Sequence, residues 1–208
     1  MKITNSNILL AKGEFSSSDE FNTIISELGD AIKLVTWGKT DKFVINPTTK
    51  GNGVVPIKTN FINYLKSKGW QTEQMISCAD GVNPGPIDVI KKTSYGIFAV
   101  EWETGNISSS HRALNKIAVG ILEKQLIGGI LILPQRSLAR YLTDRIGNYE
   151  EIAPYFKLYS HLSIENGVIG AIGIEADEID PEVLIIPKGK DGNAKKKFKS
   201  AINIITEH

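Results

Sequence analysis

The chain has 208 residues, with 24 lysines and arginines against 23 aspartates and glutamates, and 41% of its residues are hydrophobic. That length suits one domain spanning residues 1–208 with its own core, and the composition excludes a disordered or collagen-like chain. A formal charge of +1 leaves nucleic acid open as a partner, because phosphate affinity depends on where cations cluster, while the single cysteine, Cys78, excludes a disulfide within the chain and a thiolate zinc cluster.

Ser16-Ser17-Ser18-Asp19-Glu20 carries a helix N-cap signal, and Phe21, Ile24, Ile25, Leu28 and Ile32 follow at helical spacing, which predicts a helix over residues 19–34. The Asn46-Pro47 turn and the Gly51-Asn52-Gly53 loop interrupt the chain before Pro56 opens a second helix, with Phe61 and Leu65 inward and a stop at Gly69. From Pro86 the texture changes to short, partly β-branched runs at 87–90 and 96–103 around a turn-like 91–96, a hairpin pattern. Asn106 to Ser108 leads into a long amphipathic helix with Leu114, Ile117, Ala118, Ile121 and Leu122 on one face. Gly128-Gly129 then precedes a buried strand at 130–133. Helices over 137–145 and 150–161, and strands over 168–175 and 183–186, complete the expectation. The order predicts an α/β fold with a central mixed β-sheet flanked by helices on both sides.

No secretion signal and no apolar run of membrane-spanning length stand out, so the expected setting is the cytoplasm, with no membrane partner. Lysines do cluster near the end, at 188, 190, 195, 196, 197 and 199, after an acidic stretch at 175–182. Such segments are either solvated surface of opposite charge or, for the tail containing Lys190, a flexible arm that follows phosphates. Lys50, Lys58 and the Gly51–Gly53 loop are further candidates for phosphate contact. His111 reads as a helix-surface residue and Cys78 as a small buried one.

Three carboxylates stand out by position. Asp88 opens the first hairpin strand, and Glu101 and Glu103 lie two apart at the end of the second, where residues i and i+2 share a face and Trp102 points away. Carboxylates crowded in this way are costly without a cation, so their convergence implies a hard divalent ion bound by oxygen, or else the exposed face of an edge strand.

Pro86-Ile87-Asp88 followed by Glu101-Trp102-Glu103 resembles the PD-(D/E)xK nuclease motif in the form that ends in glutamate, and is similar to the BamHI-type type II restriction endonucleases. The likeness runs on through Asn106, Ser108 and Arg112, at the spacing of groups that read the inner bases of the site. It continues to Asp144-Arg145, at the position of the pair that reads the outer base pair, and Glu73 after Trp70 matches an extra acidic residue near the metals. It covers roughly residues 70–161. The D…ExE core alone is common by chance, and the combination with the downstream residues carries the resemblance. The hairpin between Asp88 and Glu101 is shorter than in that family.

The resemblance implies a restriction-endonuclease-like fold acting on double-stranded DNA at the palindrome GGATCC, cut after the first G to leave 5′-phosphates and four-base 5′ overhangs. It implies Mg2+, with Mn2+ able to substitute, held by Asp88, Glu101, Glu73 and a backbone carbonyl of Phe98, Ala99, Val100 or Trp102. Glu103 then orients or deprotonates the attacking water, or only positions it. Residue chemistry agrees, since arginine can chelate guanine, asparagine can pair with adenine, and Asp144 can accept from cytosine. Each of these residues also has an ordinary role as turn, cap or surface charge. A palindrome cut on both strands implies a homodimer, with the helix after Arg112 and the segment 149–161 either forming its seam or packing as ordinary core. A host would need a companion methyltransferase for the same site. Rival expectations are a structure-selective repair or recombination nuclease of the same fold, and a DNA-binding module without activity.

Overall fold

In the computed structural model, residues 1–75 and 85–188 are described, with the side chains of 73–75 left out. Lys190 with most of the lysine-rich tail, and Cys78, therefore lie outside the described residues. Six strands form one mixed sheet: β1 (Lys2–Lys12), β3 (Gln71–Met75), β4 (Pro86–Thr93), β5 (Gly96–Trp102), β6 (Gly128–Pro134) and β7 (Gly167–Glu175), in the order β1-β7-β6-β5-β4-β3. The three central strands β5, β6 and β7 run parallel, whereas β1, β4 and β3 pair antiparallel at the flanks. Two short strands, β2 (Val44–Ile45) and β8 (Glu178–Ile179), pair in parallel apart from it.

Helices α1 (Asp19–Lys33) and α2 (Ile57–Ser67) cover one face, and α3 (Ile107–Leu122) with the short α5 (Tyr149–Ile152) and α6 (Phe156–Ser160) covers the other. The expected fold class is therefore the observed one. Alternation along β5 divides its side chains between the layers. Phe98, Val100 and Trp102 pack under α1 and α2, while Ala99 points to α3. Phe61 of α2 lies 4.7 Å from the Trp102 ring and is fully buried, a burial worth about 1.5–3 kcal/mol per large apolar side chain. No helix among the described residues is long and apolar enough to cross a membrane.

Several expected elements differ. The helix over 137–145 is cut to α4 (Arg136–Ala139), because the Arg140 and Tyr141 carbonyls, which would continue it, accept instead from Lys50 N–H and Asn52 N–H at 2.9 Å each. Asp144 and Arg145 thus sit in a turn, Arg145 with φ of 62°. The helix over 150–161 is broken into α5, a 3-10 turn (Ala153–Tyr155) and α6, since Pro154 has no N–H to donate. Residues 183–186 pair with no strand. They form a strap held by side chains, with Asn46 Nδ2 donating to the Val183 carbonyl and Ile186 N–H donating to Asn52 Oδ1. β1 and β3 are missing from the sequence expectation. β1 leaves all but two of its residues exposed and so lacks the apolar alternation that announces a half-buried strand.

Candidate active site

The ladder between β4 and β5 runs from Thr93 with Gly96 to Val89 with Val100 and then opens. Beyond that point side chains take over the backbone's bonds. Trp102 N–H donates to Asp88 Oδ2 at 3.0 Å, and Asp88 N–H donates to Glu101 Oε2 at 3.3 Å. Asp88 and Glu101 are thus bound to each other's strands at the open end of the sheet. Two lysines neutralise them. Lys58, in the first turn of α2, places Nζ 3.1 Å from Asp88 Oδ1. Lys116 of α3 forms an ion pair with Glu101 Oε1 and donates to the Pro86 carbonyl at 2.8 Å.

The Glu101–Lys116 pair is deep, both side chains being 8% exposed. Burial pushes the Glu101 carboxyl above its usual range, with Lys116 pulling the other way and the Asp88 charge adding to the rise. Glu103 follows the strand end, its N–H donating to the Ile132 carbonyl at 2.8 Å and its Oε1 accepting from Gly105 N–H at 2.6 Å. Burial raises its carboxyl too; Gly105 N–H opposes this, Asp88 reinforces it, and Lys58 and Arg112 oppose it.

Among the described residues no three histidine, cysteine, aspartate or glutamate side chains form a ready-made metal group. The Glu73 side chain is not among them. On the backbone, Thr72 pairs with Val89 and Gln74 with Ile87, which brackets the Glu73 position across from Asp88. Oxygen donors alone, two of them carboxylates already balanced by cations, make a donor set suited to a hard divalent ion.

The residues expected to read bases lie on a rim beside this cluster. Asn106 caps α3, its side chain accepting from Ser109 N–H at 3.0 Å; Ser108 and Arg112 are exposed on the first turns of that helix. Gly147 N–H donates to the Gly105 carbonyl at 2.8 Å and fastens the Asp144-Arg145 turn to the α3 entrance. A Cβ on Gly147 would come within 2.8 Å of Ile107 Cα and 2.9 Å of Ser110 Oγ, so only glycine allows this approach. Lys50 joins the same rim through an ion pair with Asp144 at 2.7 Å, which holds the Asp144 carboxyl below its usual range. Lys50 and Arg145 have φ of 54° and 62°, a costly conformation for residues with a Cβ and one that concentrates at working surfaces.

Lys116 was not foreseen as part of the site. Its signal was faint: a cation three residues after Ala113, inside the buried surface of an amphipathic helix.

The family model described as restriction endonuclease BamHI matches residues 1–193. The chain is 45% identical over 195 residues to the type II restriction enzyme OkrAI of Oceanobacter kriegii, covering 93% of this chain and 99% of that one. It is 36% identical over 198 residues to the type II restriction enzyme BamHI of Bacillus amyloliquefaciens, covering 91% of each. Among solved structures, restriction endonuclease BglII complexed with a DNA 16-mer matches with a TM-score of 0.58 at 13% identity, over 85% of this chain and 79% of that one, a likeness of fold.

Proposed function

Because the chain belongs to the restriction endonuclease BamHI family, we propose that it is a type II enzyme that cuts double-stranded DNA at GGATCC after the first G, using magnesium. The observation that carries the reading is the interlocked Asp88–Glu101 pair at the open end of the hairpin, with the Asn106, Ser108, Arg112 and Asp144-Arg145 rim beside it. Asp88 and Glu101, with Glu73, would hold the ion. Of the four candidate carbonyls that of Trp102 is favoured, because the β5 ladder with β4 stops at Val100 and the Trp102 N–H already turns to Asp88. When bound, the ion supplies positive charge at the scissile phosphate and acidifies a water; Mn2+ should replace Mg2+.

Glu103 would orient the attacking water and accept its proton, a role favoured by the upward push that burial gives its carboxyl. The water oxygen forms the new bond to phosphorus as the P–O3′ bond breaks, which leaves a 5′-phosphate and a 3′-hydroxyl. On the rim, Arg112 and Arg145 suit guanine, Asn106 suits adenine, and Asp144 can accept from cytosine while steadying Arg145. Lys50, and Lys190 further along the chain, would contact phosphates. A host carrying this activity needs a methyltransferase for the same site.

Plasmid with magnesium should yield discrete fragments whose sequenced ends carry 5′-GATC overhangs, and EDTA should abolish them. Fragments with other ends would overturn the site, and cleavage only at branched DNA would replace the reading with a repair nuclease.

For a palindrome cut on both strands the partner is a second copy. Val119 and Leu122 of α3 are exposed together with Tyr155 and Leu158, the last 67% exposed. Tyr159 OH donates to Asn115 Oδ1 at 2.8 Å and Tyr155 packs edge-on to His111 at 4.7 Å, so α6 and α3 present one apolar surface. Sedimentation should give a two-chain mass with DNA. A single-chain mass under all conditions would contradict this seam.

A further inference from the structure

Lys58 occupies an unfavourable place for a lysine. It lies in the first turn of α2, at the positive end of the helix, in a turn with no acidic residue to offset it. The same position sets its ammonium 3.1 Å from Asp88 Oδ1, and its side chain is 42% exposed, open to an approaching strand. Its charge also reaches Glu103. The third position of the acidic motif holds Glu103 rather than a lysine, so β5 itself contributes no ammonium there.

We infer that Lys58 is a catalytic residue that supplies this missing ammonium from α2 by changing partners: it balances Asp88 in the free protein, and when a divalent ion takes Asp88 it turns to the scissile phosphate. The inference rests on the proposed hydrolysis. Its ammonium opposes the negative charge that grows on the phosphoryl oxygens while the water oxygen bonds to phosphorus and the P–O3′ bond breaks. Two consequences point in opposite directions. As a rival for Asp88, Lys58 weakens the binding of the ion, yet as a phosphate contact it speeds cleavage. A lysine that merely braced Asp88 would favour both.

The test compares wild type with Lys58→Met and Lys58→Arg. Magnesium binding is measured by calorimetry without DNA, and single-turnover cleavage of a GGATCC duplex is measured at saturating magnesium. For Lys58→Met we expect magnesium to bind on the order of tenfold tighter and cleavage to slow on the order of 100-fold. Lys58→Arg should keep the wild-type magnesium affinity and recover part of the rate. Magnesium binding that weakens together with the rate would make Lys58 a brace and overturn the inference, as would two unchanged values. Circular dichroism establishes that the variants fold, and Lys58→Gln replaces Lys58→Met should that variant not. If wild type itself shows no magnesium-dependent cleavage, the nuclease assignment fails, and the magnesium titration still reports on the Lys58–Asp88 exchange.

Discussion

Asp88→Asn should slow cleavage by on the order of 10³-fold or more, the rate equivalent of roughly 4 kcal/mol, while binding of a GGATCC duplex persists. The substitution keeps the side chain's size and leaves one oxygen to accept from Trp102 N–H. What it removes is the charge. The new amide nitrogen would face the Lys58 ammonium, donor against donor, and the ion would lose an anionic oxygen at the open end of the hairpin. Stability should change little, because the Lys58–Asp88 pair is partly solvent-exposed and such pairs contribute at most about 1 kcal/mol. Gel-shift binding with calcium and rate measurement with magnesium separate the two effects. Cleavage within tenfold of wild type would remove Asp88 from the ion's coordination.

Lys116→Met should be the more damaging change to the fold. It leaves Glu101 buried without its ammonium, a loss of about 3–5 kcal/mol at neutral pH. The pH dependence gives the sign. Glu101 already holds its proton above the ordinary value of 4.5, so its protonated form is favoured in the folded state, and stability falls as pH rises through the raised value. Removing Lys116 takes away the chief opposing influence and raises it further. Variant and wild type should therefore be nearly equal in urea unfolding near pH 4 and diverge steadily up to pH 7. Added magnesium should recover part of the loss by restoring a cation beside Glu101. Parallel stability curves across that range would mean that Lys116 contributes packing and not charge.

The mixed sheet with helices on both faces was legible in the sequence, and so was the hairpin spacing that singles out the candidate carboxylates. Asp88, Glu101 and Glu103 announced themselves by spacing on a hairpin, and α1, α2, α3, β6 and β7 by apolar period. The misses have physical causes. β1 and β3 are polar flanking strands whose place is set by partners distant in sequence, as Lys2 opposite Glu175 shows. The helix over 137–145 has helical composition, and only the Lys50–Asn52 loop, which captures its carbonyls, ends it early. Lys116 escaped notice because a lysine on a helix is ordinarily solvated; its role depends on Glu101 and Pro86, supplied by two strands of the sheet beneath. Tertiary bonding of this kind leaves only a faint local mark on the chain.

The bond from Gly147 N–H to the Gly105 carbonyl bears on how such an enzyme can diversify. It welds the turn carrying Asp144 and Arg145 to the segment that leaves Glu103, with no room for a side chain between them. If that turn reads bases as proposed, swapping it alone would also disturb the Glu103 end of the proposed active site. A selection for new target sequences should therefore recover mostly inert proteins, and the rare successes should replace both segments together.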